Sequence, residues 1–139
     1  MKKIIILLFL ASGLFALDGA KVFEKNCKSC HLGMVTENEL KQHFKNGTIK
    51  APPMVKIANR LKDAININIP NDNAEEIHRF AVISYIKEYI KKPSWDYYMC
   101  DAPAINRFAV MPAQTHLNEE ELQAVAEWIY DDFEGKVIK

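Results

Sequence analysis

Apolar residues recur at three- and four-residue intervals along most of this chain, so its patterning predicts helices and an all-α fold. The clearest case is Leu122, Val125, Ile129 and Phe133, which share one face of a single helix. Asn118 precedes that run as a cap, and Glu121 completes a capping-box pair with it. Glu119, Glu120 and Glu121 place negative charge where a helix N-terminus is electropositive. Val82, Ile83, Ile86, Tyr89 and Ile90 form a broad stripe on the longest predicted helix, Ala74 to Lys92, which Pro93 stops. Three shorter helices are predicted. One runs from Asp18 to Lys28, with Val22 and Phe23 available to pack inward. The capping box Thr36-Glu37-Asn38-Glu39 opens another through Phe44, closed by Asn46-Gly47. The third starts after the Pro52-Pro53 break and runs from Met54 to about Ala64. The only strand-like alternation, Ile65 to Ile69, lies in an Asn-rich stretch to residue 73 and reads as a loop. Residues 94–112, aromatic and broken by Pro103 and Pro112, are expected to be irregular.

The N-terminus has its own pattern. Met1-Lys2-Lys3, an apolar run from Ile4 to Leu10 and small residues up to Ala16 read as a secretory signal peptide. The run is shorter than the roughly 20 residues of a transmembrane helix, so no stable span is expected once it is cleaved. Residues 1–16 are therefore taken as signal and 17–139 as one domain. The chain carries 18 basic and 18 acidic residues, and loss of Lys2 and Lys3 leaves a slight acidic excess. No clustered basic face suggests a nucleic-acid partner.

Candidate chemistry centres on Cys27-Lys28-Ser29-Cys30-His31, the C-x-x-C-H attachment pattern of a c-type haem. Residues three and four apart share a face of a helical turn, so two thiols and an imidazole can meet one flat ring. A thioredoxin-like dithiol would need a βαβ context, which is missing. A zinc site would need four ligands, and the third cysteine, Cys100, is remote. Cys100 itself reads as a small buried hydrophobe, ahead of an intermolecular disulfide or reactive thiol.

The second axial position decides between an electron carrier and a ligand-binding site. Met34, Met54, Met99, Met111, His43, His78 and His116 are the candidates. Met34 is too near His31 to reach round the ring, and Met99 has no distinguishing context. The three histidines read as surface or packed imidazoles, His116 being the choice for bis-His ligation. Met111 is followed by Pro112, a short loop and the capped terminal helix, which would hold a thioether rigidly.

Residues 18–31, and 107–130 with R-F-A-V-M-P followed by L-N-E-E-E-L-Q-A-V-A-E-W-I-Y, resemble the two ends of a class I cytochrome c. The resemblance implies a cytochrome c fold of short helices wrapped around one covalently bound haem c. It makes Cys27 and Cys30 the thioether links, His31 the proximal iron ligand and Met111 the distal one. Phe23, Trp128 and Ile129 would lie near a crossing of the terminal helices. Attachment outside the inner membrane, which the family implies, agrees with export and a periplasmic location. The segment Gly47-Thr48-Ile49-Lys50-Ala51-Pro52-Pro53-Met54 also resembles the distal loop of shorter relatives, so Met54 stays open as an alternative ligand.

The function expected is single-electron transfer between redox partner proteins through His/Met-ligated iron, without enzymatic activity. The alternatives are a haem subunit of a larger oxidoreductase, with Trp95 to Tyr98 as a docking patch, and an open-site haem protein. For peroxide or gas chemistry the nearest distal groups would be His116 and Arg107. Because so small a domain has little core of its own, the haem-free chain is expected to be largely unstructured.

Overall fold

The computed structural model describes residues 17–67, 70, 72–133 and 135–138. The expected signal peptide and part of the loop before residue 74 lie outside them. Among the described residues there are α-helices and one 3-10 turn, and no strand. The all-α expectation holds.

Helix α1 (Gly19–Asn26) starts where the Asp18 carboxylate accepts from the amides of Ala20 and Lys21. Helix α2 (Glu37–Lys45) carries the predicted capping box between Thr36 and Glu39, and ends before Gly47, which adopts φ +64°. Helix α3 (Met54–Ala64) follows the double proline as expected. Helix α4 (Ala74–Lys91) buries Val82, Ile83, Ile86 and Ile90, while Tyr89 is half-buried. Helix α6 (Glu119–Asp132) keeps the Asn118–Glu121 capping box. It buries Leu122, Val125, Ile129 and, at its C-cap, Phe133.

Residues 94–112 are more ordered than their composition suggested. Trp95–Tyr97 form a 3-10 turn and Ala102–Arg107 form helix α5. Asp101 caps α5 by accepting from the Ala104 amide, and Pro103 sits in its first turn, where a missing N–H is harmless. Both signals are local, but the segment lacks the apolar period that marks longer helices.

The terminal helices cross tightly. A Cβ built on Gly19 would lie 2.5 Å from Trp128 Cβ and still closer to the Ala124 carbonyl oxygen. Only glycine lets α1 approach α6 this closely. Phe23 packs on Trp128 with ring centroids 4.9 Å apart, and Trp128 meets Phe133 edge-on at 5.2 Å. The core continues from this crossing through α3 and α4.

Candidate haem site

A cavity of about 270 Å³ opens beside the α1–α6 crossing. Its walls come from the end of α1, residues 50–54, the inner faces of α3 and α4, residues 98–100 and residues 109–114. Ile57, Leu61, Ile86, Ile90, Val110 and Ile129 make much of the lining apolar.

Cys27, Cys30 and His31 all line this cavity. The Cys27 carbonyl accepts from the amides of Cys30 (3.1 Å) and His31 (2.9 Å), so one helical turn continues beyond α1. That is the arrangement expected from the spacing. The cysteines are free thiols. Burial, with Cys30 adding to it, raises the Cys27 thiol to a pKa of about 11.

His31 Nδ1 lies 3.0 Å from the Pro52 carbonyl oxygen. A carbonyl only accepts, so Nδ1 carries the proton and Nε2 keeps its lone pair. Burial lowers the His31 pKa, against a smaller opposing effect of the Pro52 carbonyl. The side chain is thus a neutral, oriented imidazole, the form that binds metal. Nearby, the Met54 amide donates to the Leu32 carbonyl at 2.6 Å, tying the Pro52–Met54 strap to the chain just after His31.

Three of the methionines line the cavity: Met54, Met99 and Met111. Met54 is buried and belongs to the strap beside His31. Met111 comes from a loop pinned onto the end of α4, where the Gln114 amide donates to the Ile90 carbonyl at 3.0 Å. The Gln114 side chain also holds the Pro112 carbonyl at 2.9 Å. No motif marks Gln114, because its backbone contact with Ile90 is distant in sequence, and Met99, a candidate without distinguishing context, proves to line the cavity. Met34 is exposed and outside the cavity.

The other histidines are engaged elsewhere. His43 meets Thr48 at 2.8 Å, and His78 sits between the Tyr130 hydroxyl and the Lys62 carbonyl. His116 is exposed and bonded to Asn26 at 2.9 Å, bracing the loop after Met111 against α1. Arg107 lies over the Phe44 ring, 4.4 Å from its centroid, away from the cavity.

The aromatic segment divides. Trp95 and Tyr97 are exposed, whereas Tyr98 turns into the cavity wall with Tyr85 and Tyr89. The Tyr85 hydroxyl donates to the Tyr97 carbonyl. Among the described residues the Tyr89 hydroxyl is buried without a partner, and that of Tyr98 has only the Cys100 thiol beside it. Burial raises all three phenols, Tyr89 to a pKa of about 12, so they remain donors. Cys100 is half-buried in the same wall, less enclosed than a buried hydrophobe would be.

These residues fit a haem c. Two free thiols and an imidazole with an available nitrogen share one wall, and apolar side chains supply the others. An unpartnered buried hydroxyl costs about 1–3 kcal/mol, and acceptors such as the haem carboxylates would relieve that cost at Tyr89 and Tyr98.

Comparison with known proteins agrees with this chemistry. A protein of Aquifex aeolicus (strain VF5), described as an uncharacterized protein, is 32% identical over 146 residues, which cover 96% of this chain and 89% of the relative. No solved structure matches. Residues 15–129, which include the C-x-x-C-H turn, the strap, the Met111 loop and most of α6, match the family described as cytochrome c oxidase, cbb3-type, subunit III. The chain belongs to that c-type cytochrome family, whose members bind covalently attached haem c and transfer electrons.

Proposed function

We infer that this chain is an exported, periplasmic single-electron carrier with His31 and Met111 as the two axial ligands. The observation that carries the reading is the His31–Pro52 hydrogen bond, which presents a neutral imidazole in a wall shared with both thiols. The haem bound there supplies a one-electron ferric/ferrous couple.

The chain's own residues set how that couple behaves. Cys27 and Cys30 anchor the group, and His31 is oriented by Pro52. The Met111 thioether favours the ferrous state and raises the potential. The apolar lining acts in the same direction, because it disfavours extra positive charge. Met54 fits a packing role better than ligation, since its backbone is tied to the His31 side of the site through Leu32. Met111 has a separate support, the loop held to α4 through Gln114 and Ile90. Export rests on the basic, apolar and small-residue pattern of residues 1–16.

A second reading, a haem subunit of a larger oxidoreductase, is favoured by the family description, which names a subunit of an oxidase. Among the described residues no helix is long and apolar enough to cross a membrane.

Spectroscopy of the oxidised holoprotein tests the ligand assignment. The weak near-infrared absorption of methionine ligation should vanish in Met111→Ala and survive in Met54→Ala and Met99→Ala. Loss in Met54→Ala alone would transfer the role to Met54, and rapid carbon monoxide binding by the native ferrous protein would favour an open site. Retention with a terminal oxidase through purification from native membranes would favour the subunit reading over the free carrier. Recovery from the periplasmic fraction, with a mass lacking residues 1–16, tests export.

A further inference from the structure

A groove of about 210 Å³ lies on the other side of the strap, between α2, α3 and α5. Pro52, Ile57, Arg60 and Cys100 line both it and the haem cavity, so the two are separated by single side chains. Its rim carries three exposed cations, Lys56, Arg60 and Arg107. Its wall includes Phe44, which is 37% exposed beneath the Arg107 guanidinium.

None of these three cations forms an ion pair among the described residues, whereas Lys41, Arg79, Lys87 and Lys91 do. The carboxylates nearby are engaged. Asp101 caps α5, Glu39 caps α2 and Glu37 pairs with Lys41. A chain with equal numbers of acidic and basic residues thus gathers unpaired positive charge at one concave spot next to its redox site. Arginine beside an exposed aromatic ring is also the composition of binding hot spots.

We propose that this groove is the docking surface for an acidic redox partner protein, whose carboxylates meet Lys56, Arg60 and Arg107 while an apolar side chain packs on Phe44. The inference rests on the electron-carrier reading and adds where, and to what kind of surface, the carrier docks. The shared wall brings the partner within one side-chain layer of the cavity. Electrostatic steering of this kind mainly raises the association rate and is weakened by salt.

The test uses haem-loaded, 15N-labelled protein titrated at low ionic strength with an oligoglutamate peptide carrying one tryptophan. Amide shifts should cluster at residues 40–44, 52–60 and 100–108, and should fade as salt is added. Lys56→Glu/Arg107→Glu should weaken binding about tenfold, while Lys21→Glu/Lys25→Glu, an equal change of charge on α1, should alter it less than about twofold. The double variant spares Arg60, whose Nε donates to the Met99 carbonyl at 3.2 Å. Oxidation of the ferrous protein by ferricyanide should slow in the groove variant and not in the α1 variant. Shifts scattered over the surface, equal effects of the two variants, or tighter binding to phosphatidylglycerol vesicles than to the peptide would each overturn the proposal. Concentration-dependent self-association through the same residues would overturn it as well. The spectrum of the unmodified protein keeps the two readings separate. Absence of the methionine band defeats the ligand assignment, whereas an intact band with an unresponsive groove defeats only the docking surface.

Discussion

At the crossing of α1 and α6, apolar side chains meet apolar side chains, and a glycine sits where no larger residue fits. Along another wall of the site, from Tyr89 to Gln114, two phenol hydroxyls lack good partners among the described residues, a thiol is half-buried and a methionine hangs from a pinned loop. The first region satisfies itself through close packing. The second is completed by what it encloses, since its donors and soft sulfur atoms have chemistry left over. A small domain can therefore divide labour, with one wall for stability and another that exchanges local stability for a binding function.

The largest test of that division removes the covalent anchors. Cys27→Ala/Cys30→Ala should abolish stable haem attachment and most of the far-ultraviolet helical dichroism. Full helicity without haem would mean that the terminal crossing holds the fold unaided.

Next comes the crossing itself. Gly19→Val should destabilise the holoprotein by about 3 kcal/mol in guanidinium titrations, because the Ala124 backbone cannot yield as a flexible side chain would. Gly33→Ala, with open space around it, should change stability by less than about 0.5 kcal/mol. A mild Gly19→Val variant would show that α1 can slide on α6.

Smaller effects separate the two regions more finely. Asn118→Ala should cost about 1 kcal/mol by removing the cap of α6. Tyr98→Phe should also cost about 1 kcal/mol in the holoprotein, because its hydroxyl finds an acceptor on the haem side; a stabilised variant would show that the hydroxyl stays orphaned. A small change is expected for Arg79→Ala. Its bridge to Asp131 joins side chains that are 39% and 53% exposed, so the loss should stay below about 1 kcal/mol and shrink with salt.

Local patterns by themselves determined the helices with strong caps or long apolar stripes, namely α1, α2, α3, α4 and α6. They also determined the turn that brings Cys27, Cys30 and His31 together, because every interaction involved spans one helical turn. Helix α5 escaped that reading, since six residues offer too few positions to show a period. Only the tertiary structure decided that Pro52 orients His31, that Gln114 anchors the Met111 loop, and that Tyr98, Met99 and Cys100 face the cavity while Trp95 and Tyr97 face solvent. Of the groove cations, Lys56 and Arg60 stand one turn apart on α3, and Arg107 of α5 joins them only on folding. Contacts of this kind join irregular segments far apart in the chain, where neither spacing nor composition records which residues will be neighbours.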